Sequence, residues 1–98
     1  MALKYTINLP PAGASDVASR EVTVVVDAAP PEVTVLPGDA ATFVRNFEHG
    51  QNVSVTLVDV DAADNRSPPS PALGFTATDT FPPPAPGALA VGDVEQVP

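Results

Sequence analysis

The chain has no cysteine, so disulfide bridges and thiolate metal sites are excluded, and a domain of this size must be held by its core and backbone ladders alone. It has no tryptophan, and aromatic residues make up only 5% of it. The core must therefore be built from Val, Leu, Ile and a few Phe, each burying less area than an indole. Basic residues are also few. Four Lys and Arg stand against twelve Asp and Glu, for a formal net charge of −8. That balance excludes the basic footprint needed to neutralise phosphates, and it disfavours anionic membranes for the same reason. No apolar run approaches the ~20 residues that span a bilayer as a helix. The opening Met1-Ala-Leu-Lys-Tyr-Thr-Ile-Asn-Leu9 lacks the basic, apolar and small-residue regions of a signal peptide, and is expected to be a first strand of a protein made in the cytoplasm.

What is present is alternation and proline. Tyr5, Ile7 and Leu9 alternate with Lys4, Thr6 and Asn8, and the strand they predict stops at Pro10-Pro11. Arg20 to Asp27 predicts a second strand, with Val22, Val24 and Val26 inward and Val25 on the other face. Glu32 to Leu36 predicts a third, followed by Pro37-Gly38-Asp39 as a hairpin turn with Gly38 at positive φ. In Thr42 to Phe47 the face of Phe43 and Phe47 also carries Arg45, which implies either a snorkelling Arg at an edge or a short, bulged strand. Val53, Val55 and Leu57 share one face of a fifth strand. The phase then changes at Val58 and Val60, predicting a bulge or a face covered by another chain. An Asp/Asn turn and a proline-stiffened return lead to Leu73, Phe75 and Ala77 as the closing strand of the last hairpin.

The fold expected is an all-β antiparallel sandwich over residues 1–80, with a Pro-rich C-terminal extension or docking arm over residues 81–98. The arm begins Phe81-Pro82-Pro83-Pro84, favours a polyproline-like conformation, and carries Leu89, Val91, Val94 and Val97 at spacings that call for a surface to bury against.

Phe47-Glu-His-Gly50-Gln-Asn-Val53, the turn Asp61-Ala-Ala-Asp-Asn65-Arg-Ser67 and the run Pro82 to Val91 resemble the fibronectin type III domain, and more broadly the immunoglobulin-like sandwiches. In that resemblance Val53 stands where the family has a corner Tyr, and Asp64 where Gly is usual. Val91 would close the opening of a following repeat. Such modules recur on tailed-bacteriophage virions. The resemblance therefore implies a non-enzymatic structural protein of the virion, a capsid decoration or accessory protein made in the host cytoplasm, whose partners are a capsid or other virion protein and further copies of itself. The competing expectation is an adhesive or carbohydrate-binding module using the turn Asp61 to Ser67. Scarce aromatics count against it, because sugar stacking needs exposed rings.

Candidate sites follow from residue type. The interface set is Val25, Val58, Val60, Phe81, Leu89, Val91, Val94 and Val97. Asp59, Asp61, Asp64 and Asn65 place oxygen donors within one turn, as a hard cation requires. Their spacing fits no defined calcium loop, and side chains bonding their own backbone are the stronger expectation. His49 is the only histidine and has no nucleophile and orienting group arranged around it in sequence. No catalytic residue and no cofactor is expected.

Overall fold

A computed structural model describes residues 2–98. It is all-β, with six strands: β1 (Ala2–Asn8), β2 (Val17–Val26), β3 (Glu32–Pro37), β4 (Thr42–Glu48), β5 (Asn52–Asp61) and β6 (Leu73–Thr76). Two antiparallel sheets face each other, a two-stranded sheet β1-β4 and a four-stranded sheet β3-β2-β5-β6. The alternating residues read from the sequence supply the inner faces. Leu3, Ile7, Phe43 and Phe47 come from the small sheet, and Val22, Val24, Val53, Val55 and Leu57 from the large one. Rings lock the layers. Tyr5 stacks on Phe75 at 4.9 Å, and Phe47 meets both edge-on at 5.8 Å, so β1, β4 and β6 share one aromatic contact.

Arg45 follows the first of its two expected behaviours. β4 is regular and pairs with β1 over its whole length, with Tyr5 opposite Arg45. The guanidinium lies 5.5 Å from the Phe47 ring centroid and reaches Glu32 of the facing sheet at 2.7 Å. The alkyl stem stays with the core while the charge exits at the edge. This ion pair closes the β4–β3 side of the sandwich.

Three expectations are corrected. Pro37-Gly38-Asp39 does not close a hairpin, because β3 and β4 lie in different sheets. The turn, with Ala40 N–H donating to Pro37 C=O at 3.1 Å, carries the chain across the sandwich. Nor does Gly38 take positive φ, which among the glycines only Gly50 does. A side chain at Gly38 would collide with the Val17 carbonyl, so the glycine is needed for close approach. The bulge expected near Val58 is on the partner strand: the β2–β5 register slips between Val17 and Ser19, leaving Ala18 unmatched opposite Val60 and Asp61.

The return from β5 to β6 shows how a proline-rich segment satisfies a ladder. Pro68, Pro69 and Pro71 have no N–H to give. Ser67 and Ser70 compensate. Ser67 N–H donates to Asp59 C=O while Asp59 N–H donates to Ser67 Oγ, and Ser70 repeats the exchange with Leu57, all at 2.9 Å. Each serine thus closes both backbone bonds with one residue of β5, and the hydroxyl stands in for a carbonyl.

Two substitutions test these local devices. Gly50 has φ of 90° with open space around its missing side chain, so Gly50→Ala acts through the backbone alone and should cost about 1–2 kcal/mol in denaturant unfolding. Ser70→Ala strands the N–H of buried Leu57 and should cost ~1 kcal/mol, with hydrogen exchange at Leu57 accelerated.

Candidate docking surface

The acidic turn forms as the sequence chemistry dictates. Asp61 Oδ1 accepts from the N–H groups of Ala63 and Asn65 at 2.9 Å, and Oδ2 accepts from the Asn65 side-chain amide at 3.0 Å. Asp64 sits at φ 63°, in the left-handed region that Asp tolerates better than most residues. The Asn65 side-chain amide, and then its backbone N–H, hold the Asp61 carboxyl below the ordinary Asp value. Asp59 points elsewhere and is taken by Arg20. The side chains of Asp59, Asp61 and Asn65 are therefore committed to two separate tasks, and Asp64 serves the turn through its backbone. Among the described residues no group of three or more His, Cys, Asp or Glu is placed to hold a metal ion.

Arg20 is the charged residue that the strand reading left unassigned. It shares the inward parity of Val22 and Val24 and is only 2% exposed. Its Nε donates to Asp59 Oδ1 and its Nη1 to the Ala40 carbonyl, both at 2.8 Å. Asp59 lies directly opposite it in register. The signal was in the sequence, since Arg20 continues the phase of the inward valines as Asp59 continues that of Val53, Val55 and Leu57. On the outer face of the same sheet, Arg66 grips Glu21 through two bonds of 2.8 and 2.7 Å. That grip lowers the Glu21 pKa and raises that of Arg66.

Three hollows stand out among the described residues. One of about 280 Å³ lies beside the acidic turn, between Asp16, Val17, Asp59 and Arg66. Another of about 290 Å³ lies between Pro10, Pro11 and the Gly38 turn. The third, about 220 Å³, is a mostly apolar groove between the outer side of β1 and the β6 end of the large sheet, lined by Ile7, Leu9, Val55, Leu57, Pro71 and Leu73. Leu73 there is 46% exposed.

The interface candidates divide. Val60 is buried within the chain, 6% exposed, so it offers no free face. Val25 and Val58 are half-buried on the outer side of the large sheet. Val33 and Val35, which the sequence reading assigned to no face, are exposed on β3 beside them. Phe81, Leu89, Val91, Val94 and Val97 are all exposed, Leu89 at 98%. Residues 77–98 hold no strand or helix, and the molecule measures 87 × 26 × 17 Å. The root of this segment is fastened: Thr78 N–H donates to the Tyr5 hydroxyl at 3.2 Å, and Asp79 N–H to His49 Nδ1 at 2.9 Å. His49 thus anchors backbone.

The depressed Asp61 pKa carries a sign. Its contribution to the turn is present above the unfolded value near 3.8 and is lost as pH falls through the lower folded value. A carboxyl NMR titration should place the Asp61 midpoint below the ordinary Asp value, with the Asn65 amide signals moving in step; a midpoint at or above 3.8 contradicts the geometry. Comparison with protein-family models, with curated proteins and with solved structures finds no match to this chain.

Proposed function

We propose that this protein is a non-enzymatic assembly module acting through protein–protein contacts, and within that class a capsid decoration or accessory virion protein of bacteriophage type. The observation that carries the assembly reading is the C-terminal segment. Leu89, Val91, Val94 and Val97 are each more than four-fifths exposed on a stretch fastened at its root and projecting from a folded body. Apolar side chains displayed in this way lose nothing until a partner covers them, and then contribute their full transfer free energy. The segment is a docking arm, and residues 1–80 are the body that presents it.

The finer fold assignment is to the fibronectin type III or immunoglobulin-like sandwiches. It is supported by the strand arrangement: a hairpin β2-β3, a crossing to β4, a crossing back to β5 and a closing hairpin β5-β6, with β2 and β5 central in the larger sheet. The left-handed turn residue Asp64 and the tight Gly50 corner add to the likeness. The virion assignment rests on that likeness together with the acidic, cysteine-free composition. On a symmetric shell, many weak arms give avid attachment.

The test is co-sedimentation with assembled phage shells. The full chain should pellet with shells, and deletion of residues 82–98 should abolish pelleting while leaving the far-UV circular dichroism of the body intact. Pelleting that survives the deletion, or a full chain that stays in the supernatant with every shell tried, overturns the proposal.

A further inference from the structure

The two sheets are unequal, and neither strand of the smaller one has a neighbour on its outer side. Below β4 the gap between the sheets is bridged by the Arg45–Glu32 ion pair, which occupies the space a further strand there would cover. β6 is short and flanked by proline, and β3 ends at Pro37 and begins after Pro30-Pro31, which are ordinary ways of blunting an edge. β1 has no such protection. Leu9 N–H donates to Ala41 C=O on the β4 side. By alternation the N–H and C=O groups of Lys4, Thr6 and Asn8 therefore point away from β4, and no described strand pairs with them. Beneath that row lies the apolar groove of about 220 Å³, where Leu9, Leu73 and Pro71 line a gap that a further strand beside β1 would cover.

We propose that this edge receives residues 88–95 of a second copy of the chain, added antiparallel to β1, so that copies join head to tail. The inference deepens the assembly reading by naming the partner, and rests on it only in taking the C-terminal segment as a docking element. The residues fit the slot. Leu89 and Val91 share one face at period two, and placed opposite Leu9 and Ile7 they enter the groove. Ala90 then exchanges backbone bonds with Asn8. Gly92-Asp93 breaks the phase by one residue, as a bulge does, which turns Val94 inward beside Tyr5 and sets Glu95 against Lys4, the lone basic residue of β1.

Direction decides between a second copy and the chain's own tail. β6 ends with Thr76 opposite Asn52, just past Glu48, which pairs with Ala2. The arm therefore leaves from the end of the sandwich where β1 begins, whereas an antiparallel donor must enter beside Asn8 and Leu9. From Asp79 to Gly87 the chain spans roughly 25 Å if polyproline-like, about the length of β1 itself. None remains for the crossing and reversal, and Pro82-Pro83-Pro84 stiffens the segment outward. A straight arm instead reaches the far end of the next copy.

The absence of cysteine makes a trapping experiment clean. Full-length chains carrying Asn8→Cys and Ala90→Cys, both at exposed positions, are mixed and oxidised, with Ala29→Cys on the β2-β3 turn as the control partner for Ala90→Cys. The expected result is a disulfide heterodimer from the first pair at least ten-fold above the control. Sedimentation of the unmodified chain should show mass rising with concentration, and Val91→Asp or Thr6→Pro should return it to monomer. Val91→Asp lies on the exposed arm and leaves the fold intact, so it keeps the test sound if Thr6→Pro unfolds. A strict monomer with no preferential cross-link overturns the inference. An intramolecular disulfide in the Asn8→Cys, Ala90→Cys double variant at high dilution also overturns it, in favour of the chain's own tail. Shell pelleting without cross-linking removes strand exchange and spares the docking arm; cross-linking without pelleting removes attachment to a shell and spares strand exchange between copies.

Discussion

Phe47 holds this sandwich together. It is 2% exposed, touches the rings of Tyr5 and Phe75, and lies under the Arg45 guanidinium. Through those contacts one side chain joins both strands of the small sheet to the β6 edge of the large one, and Arg45 extends the link to Glu32 on the opposite edge. A chain with four Phe, one Tyr and no Trp cannot afford to spread its aromatics. Concentrating three of them at one end of the layers ties strands that no backbone ladder connects. The remaining core is Val, Leu and Ile, which fill the middle without reaching across the edges.

The other end is held by charge. Arg20, inward where a further Val would continue the pattern, satisfies the Ala40 carbonyl and the Asp59 carboxylate at once. Its cost of burial is offset by those bonds, and its value is geometric, because it joins the β3-to-β4 crossing to β2 and β5. The two lateral sides differ in what they leave free. The β4–β3 side is bridged by Arg45 and Glu32, while the β1 side has an open row of backbone groups above apolar carbons.

The C-terminal segment and the open groove have complementary deficits. One carries exposed Leu and Val with no backbone ladder; the other carries unpaired backbone groups and uncovered apolar surface. A high density of proline keeps the segment extended, which lowers the conformational entropy lost on docking. Net charge of −8 opposes association of copies at low ionic strength, so burial of Leu89 and Val91 must outweigh repulsion, and salt should favour it.

Much of this was legible from residue pattern. Period-two alternation assigned the inner faces of β1, β2, β4 and β5, because a strand with one buried face must place its apolar side chains there. Turn chemistry assigned the Asp61 to Asn65 loop, because those bonds are local and form wherever the chain reverses. The sequence also showed a segment with apolar residues and nothing of its own to cover them. It did not decide which strands became neighbours. Pro37-Gly38-Asp39 reads equally well as a hairpin or a crossing, since the turn alone does not determine which sheet receives the next strand. Arg20 and Asp59, Arg45 and Glu32, and the sides of the groove between β1 and β6 meet only once the layers stack, and Val60 is buried only by how its neighbours fold over it. Local periodicity is a property of a strand; pairing, edge exposure and the burial of charge are properties of how strands are arranged in three dimensions.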